Sequence, residues 1–319
     1  MSSLLSASLS LLLLLLPRAR CASPAPPRVT VGALGTVTGA VSRLAPSVGV
    51  FKGIPYAKPP VGVGTRRDRG DREKSEKSEK THDILRTTPG TLGTLGTLGT
   101  LRTPPGTPGR WQPPVPHGAF GDLDGTAFGS ICAQHAGPLN VGAEDCLFLN
   151  VGAPLAAVSR AQTRPKLTPE LMPVLVWIHG GAYVSGASNL YDPATLVAAS
   201  NGTVVVVTLN YRLSVFGFLG GDAVAARTAD GSAGNFGIQD QRLAMQWVHD
   251  HIASFGGDPA QVTIFGESAG GNSVFNHLAQ PLSFPLYRGA IVESGLYNEG
   301  AFPAAQANAR FADLGGAVG

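Results

Sequence analysis

Four short, unbroken apolar runs constrain this chain more than any other feature: Pro173–Ile178, Thr203–Leu209, Gln261–Phe265 and Gly289–Val292. Runs of this length, dense in β-branched residues, are what strands buried on both faces look like. Between them lie stretches with helical spacing. Residues 235–253 place Ile238, Leu243, Met245, Trp247, Val248 and Ile252 broadly on one face, and 269–279 begin directly after Ser268. Strands alternating with helices predict an α/β fold with a largely parallel central sheet flanked by helices. Val29, Val31, Val37, Val41 and Phe51–Tyr56 add strand-forming sequence near the N-terminus.

Two stretches do not fit a packed core. Leu11–Leu16 is a leucine block followed by small residues around Cys21, Ala22 and Ser23, which reads as a secretory signal peptide over 1–23. An uncleaved N-terminal anchor is the alternative, although the run Leu4–Leu16 is short for a membrane span. Residues 63–109 have no amphipathic period: charged and small residues fill 66–80, then Thr-Leu-Gly repeats, then Pro, Gly and Thr. Such a composition cannot bury enough surface to offset its ordering entropy, so 63–109 is read as a disordered low-complexity insertion. Translated intron sequence and a regulatory loop both remain open for it. The domain is then expected over 24–62 and 110–319. Net charge is +3, but the 63–109 stretch carries +3 and Arg18 with Arg20 add two, so the rest stands at −2. That leaves no basic face for nucleic acid.

Gly266-Glu-Ser-Ala-Gly270 is G-x-S-x-G between an expected strand and an expected helix. In that setting the two glycines permit a sharp turn that lifts Ser268 Oγ out of the sheet, above a helix N-terminus that favours developing negative charge. His179-Gly-Gly-Ala182 follows the 173–178 strand and is similar to the oxyanion loop of esterases, with Gly181, Ala182 and Ala269 as backbone N–H donors. His249 and His251 lie two apart on a helix and face different sides, so no metal site is expected there, and none elsewhere. Glu267 is read as a buried hydrogen-bonding residue. Asn201-Gly-Thr203 is a glycosylation sequon.

The run Phe255–Gly270 resembles the nucleophile signature of type-B carboxylesterases, the carboxylesterase/cholinesterase family, and Glu144–Val151 resembles that family's second signature. Phe51–Pro60, Asn210–Arg212 and Gly234–Gln241 match its usual segments. The resemblance implies an α/β-hydrolase fold, a secretory-pathway location (extracellular or ER lumen) and serine-dependent cleavage of small-molecule esters through an acyl-enzyme, without cofactor. It also implies a disulfide between Cys132 and Cys146, and a pair between Arg110 and Glu144. A non-catalytic adhesion member of the same fold, or an inactive fragment, is the alternative. Cholinesterases carry a tryptophan in the disulfide loop, and residues 133–145 contain no Trp, Tyr or Phe. The family's triad needs an acid and a histidine after the serine, yet His277 is the sole histidine there, nine positions into the helix and directed away. Glu293, Glu299 and Asp313 match no acid segment. The expectation is therefore a chain carrying nucleophile and oxyanion loop but neither triad acid nor triad histidine, with the C-terminal part of the fold missing.

Overall fold

The computed structural model describes residues 25–61, 109–163, 170–295 and 303–318. The expected signal peptide and nearly all of the expected insertion lie outside them. Twelve strands are described. β1 (Arg28–Val31), β2 (Gly35–Thr38), β3 (Ala40–Val41) and β4 (Val48–Pro55) come from the N-terminal segment. β5 (Gly121–Asp124), β6 (Gln134–Ala136), β7 (Leu139–Val141) and β8 (Phe148–Pro154) follow. β9 (Met172–Ile178), β10 (Val205–Leu209), β11 (Gly257–Glu267) and β12 (Gly289–Glu293) are the four apolar runs. Seven strands form the main sheet in the order β12-β11-β9-β10-β8-β4-β3.

The four apolar runs pair parallel, as their sequence requires. The other half differs from the expectation: β10 pairs β8, β8 pairs β4, and β4 pairs β3, all antiparallel. The sheet is mixed rather than largely parallel. Antiparallel neighbours need no helical crossover between them, so strands of this kind can pair in that sense.

The described α-helices are α1 (Leu155–Thr163), α2 (Pro193–Ala199), α3 (Ser214–Phe218), α4 (Asp222–Ala225), α5 (Phe236–His251), α6 (Ala269–Leu278) and α7 (Ala304–Val318). α2 starts where Asp192 accepts a hydrogen bond from the Ala194 N–H at 2.9 Å, with Pro193 at the first helical position. One face of the sheet presents Val174, Val176, Ile178, Val207, Leu209, Val262 and Ile264, which join one core with Met245 and Val248 of α5 and Val274 of α6. The opposite face packs on α2 over β4, β8 and β10, with Val50, Ala194, Val197 and Val206 in one buried cluster. No described helix is long and apolar enough to cross a membrane.

The chain on either side of residues 62–108 is joined across the gap. The Lys58 N–H donates to the Val115 carbonyl at 2.8 Å, and the His117 N–H donates to Tyr56 at 3.1 Å. Arg212, 2% exposed, is paired with the fully buried Asp240 through Nη2 at 2.7 Å and Nε at 2.8 Å. Its Nη1 donates to the carbonyls of Arg110 (3.1 Å) and Gln112 (3.0 Å). Gly109, the last residue of the expected insertion, is described, and its carbonyl accepts from the Gln112 N–H at 3.3 Å. Arg110 pairs with Glu144, Nε to Oε2 at 2.6 Å and Nη2 to Oε1, the two parallel bonds that a guanidinium and a carboxylate make best. Cys132 and Cys146 are disulfide-bonded, with the β6–β7 hairpin inside their loop.

Candidate active site

β9 and β11 are neighbours, with Phe265 opposite Trp177 and Gly266 opposite Ile178, so their C-terminal ends bring the 179–182 turn beside Ser268. Ser268 sits between β11 and α6 at φ 55°, ψ −121°, a region that side-chain-bearing residues rarely occupy. The strain is held from both sides. The Ser268 N–H donates to the Glu293 carbonyl at 2.9 Å, and its carbonyl accepts the first α6 bond, from the Asn272 N–H. The flanking glycines are required by contact. A Cβ on Gly270 would lie 2.0 Å from the Ile178 carbonyl oxygen, and one on Gly266 would lie 2.6 Å from the Gly270 carbonyl carbon.

The 179–182 turn rests directly on this elbow: a Cβ at Gly180 would be 2.6 Å from the Glu267 carbonyl oxygen and 3.2 Å from Ser268 Cβ. Gly181 adopts φ 108°, and Ala182 and Tyr183 follow at φ 53° and 60°. Among the described residues, the N–H groups of Gly181, Ala182 and Ala269 enter no hydrogen bond with another backbone group. For Ala269 the reason is general: the first residue of a helix has no intrahelical acceptor. Gly181 instead accepts, from the N–H groups of Val184 and Ser185 at 3.0 Å each.

His179 anchors the turn. It is buried, stacked on Tyr211 with ring centroids 4.4 Å apart, and its Nδ1 donates to the Gly180 carbonyl at 2.8 Å. The Tyr211 hydroxyl donates to the His179 carbonyl at 2.8 Å. Burial pushes the His179 imidazole down to about 4, so it is neutral at pH 7.

The other sequence candidates are placed as follows. His277 is buried, with Nδ1 3.0 Å from Ser283 Oγ and Nε2 3.0 Å from Gln241 Oε1, so both ring nitrogens are engaged away from Ser268. Glu267 is exposed, contrary to the expectation of a buried hydrogen-bonding residue, because β11 ends at the open rim of the sheet. Glu293 is its exposed register partner on β12. Asp313 is exposed on α7, and Glu299 lies outside the described residues. His249 contacts Asp250 at 3.0 Å, and His251 packs on Trp247. Among the described residues no group of three or more His, Cys, Asp or Glu side chains is arranged to hold a metal ion. Asn201 is exposed, at φ 56° in the turn after α2. The sequence reading assigned no role to Tyr183, Tyr211, Ser273 or Gln241. Tyr211 and Gln241 fall inside the quoted segments, but no local pattern marks any of them.

A family profile described as "Carboxylesterase family" matches residues 102–319. The chain is 43% identical over 202 residues to the para-nitrobenzyl esterase of Bacillus subtilis (strain 168), covering 60% of this chain and 38% of that protein. It is 41% identical over 208 residues to the acylcarnitine hydrolase of Mus musculus, covering 60% of this chain and 34% of the relative. Among solved structures, a PNB esterase aligns with a TM-score of 0.63 at 35% identity, over 89% of this chain and 47% of that one. The chain therefore spans less than half the length of these relatives, and its fold is theirs, the α/β-hydrolase fold. The matched profile takes in the Ser268 elbow and the 179–182 turn together: the chain belongs to the carboxylesterase family.

Proposed function

We propose that this chain carries the nucleophile and oxyanion half of a serine carboxylic-ester hydrolase. Ser268 Oγ attacks the carbonyl carbon of a small ester and forms the acyl-enzyme, the alcohol departs with a proton, and water then releases the acid. The N–H groups of Gly181, Ala182 and Ala269 hold the oxyanion of each tetrahedral intermediate. The observation that carries this reading is the packing of the 179–182 turn on the elbow, which sets three backbone donors free of other backbone bonds on either side of Ser268. The relatives' printed activities, on para-nitrobenzyl esters and acylcarnitines, support a small-molecule ester as substrate.

His277 is excluded as the base by its two hydrogen bonds, and no acid is assigned, so the proton acceptor has to be supplied outside the described residues. The domain is read as 24–62 joined to 110–319. The Cys132–Cys146 bridge supports a secretory-pathway location, since such bonds persist in oxidising compartments. The exposed Asn201 is then the glycosylated position.

Intact-mass measurement with an activated acetyl ester tests the chemistry. The expected result is one acetyl group per chain, absent in Ser268→Ala, with turnover limited to the residual ~10³–10⁴-fold over water that survives loss of a triad member. Acetylation that persists in Ser268→Ala, or none in the parent chain, overturns the reading.

A further inference from the structure

The buried groups behind the elbow form a hydrogen-bonded chain whose direction can be worked out. Gln241 Nε2 donates to Ser273 Oγ at 3.0 Å, and Gln241 Oε1 faces His277 Nε2 at 3.0 Å. With the amide so oriented, His277 Nε2 carries the proton and Nδ1 accepts from the Ser283 hydroxyl, 3.0 Å away. Burial holds this imidazole neutral, which is the state such a chain needs. Ser273 Oγ accepts from Gln241 and is placed to donate to the Ala269 carbonyl at 2.9 Å and to the Tyr183 hydroxyl oxygen at 3.3 Å, so its one proton is shared between those two acceptors.

Tyr183 and Ala269 belong to the two separate elements that supply the oxyanion donors. Tyr183 follows Ala182 in the turn and is itself at φ 60°; Ala269 opens α6. One hydroxyl, buried on Ser273, touches both. We propose that Ser273 is a positioning residue that fixes the turn and the helix N-terminus at one relative distance, with Gln241 and His277 setting the direction of its hydrogen bonds. Tyr183 is the arm of the turn in this linkage. Its ring is held independently against Phe218 at 4.7 Å, so removal of the hydroxyl leaves its packing intact. The proposal rests on the oxyanion reading for its catalytic meaning, but the linkage itself is testable without it.

Tyr183→Phe, Ser273→Ala and the double variant are made in the full chain. Two quantities are read: amide exchange at residues 182–184, and the rate at which a fluorophosphonate probe labels Ser268. Tyr183→Phe should speed exchange at these amides by about fivefold, the factor expected for one neutral hydrogen bond, with exchange in β10 unchanged. Labelling should slow by about three- to tenfold in each single variant, well short of the 10²–10³ for loss of an oxyanion donor. The double variant should be no slower than the slower single, because both changes break one link. Exchange at 182–184 that is unchanged in Tyr183→Phe, or effects that multiply in the double variant, overturns the proposal. If the probe fails to label the parent chain, the nucleophile assignment fails, and the exchange data still decide the linkage.

Discussion

The two faces of the main sheet are built from equally apolar residues and have opposite fates. On β9, Val174, Val176 and Ile178 are fully buried under α5 and α6, whereas their neighbours Leu175 and Trp177 are only partly covered. The same alternation runs along β11, and on β12 Ile291 is 48% exposed while Val292 packs into the core. Over the half-bare face Trp177, Tyr191, Leu196 and Phe265 line a groove of about 380 Å³. The indole N–H of Trp177 is buried there with no hydrogen-bond partner among the described residues. An apolar strand thus records that both its faces suit a dry environment. It does not record whether the described chain covers both. The continuous run at 173–178 suggested burial on both faces; α5 and α6 bury one face, and α2 covers only part of the other.

The comparison can be broken most severely with acid. His179 and His277 belong to the covered side and its rim, with imidazoles depressed to about 4 and about 3. Their folded-state pKa values lie below the unfolded value, so the unfolded chain binds more protons as pH falls. Stability from each is complete above about pH 6.5 and falls by about 1.4 kcal/mol per pH unit below it, until the folded pKa is reached. Denaturant midpoints between pH 7 and 4.5 should show the combined slope of both, and His277→Gln should remove about half of it. A flat profile would mean that the covered side is not sealed.

A smaller test sets the faces against each other directly. Ile178→Ala, on the covered face, should cost about 2–5 kcal/mol in urea unfolding. At the elbow, Ser268→Gly relieves a backbone strain that Ser268→Ala retains, so the glycine variant should be the more stable of the two by about 1 kcal/mol. The smallest effect belongs to the open face: Ile291→Ala should stay within about 0.5 kcal/mol of the parent. Equal costs for Ile178→Ala and Ile291→Ala would show that both faces are covered in solution.

Much of this was legible beforehand because it is local. Strand, turn and helix succeed one another within Gln261–Ala279, and the G-x-S-x-G glycines are dictated by contacts of 2.0 and 2.6 Å that leave no room for a side chain. The Arg110–Glu144 and Cys132–Cys146 pairs came from family resemblance and are present in the structure. Glu267 was misjudged because its burial depends on what lies beyond the rim of the sheet, not on its neighbours in sequence. The antiparallel half of the sheet was missed because short strands carry no mark of their partner's direction.

The sequence by itself determined that the four apolar runs become strands, that the chain must turn sharply at Ser268, and that Ser268 and the 179–182 turn each follow a strand. These follow from apolar period, glycine placement and short-range sterics. Only the tertiary structure decided that Gln241 and Ser283 would occupy the two nitrogens of His277. It likewise decided that Arg212 would hold the carbonyls at 110 and 112, and that one face of the sheet would be sealed and the other left half open. Those outcomes depend on where helices land on the sheet, and a partner 36 residues away leaves no periodic trace in the chain.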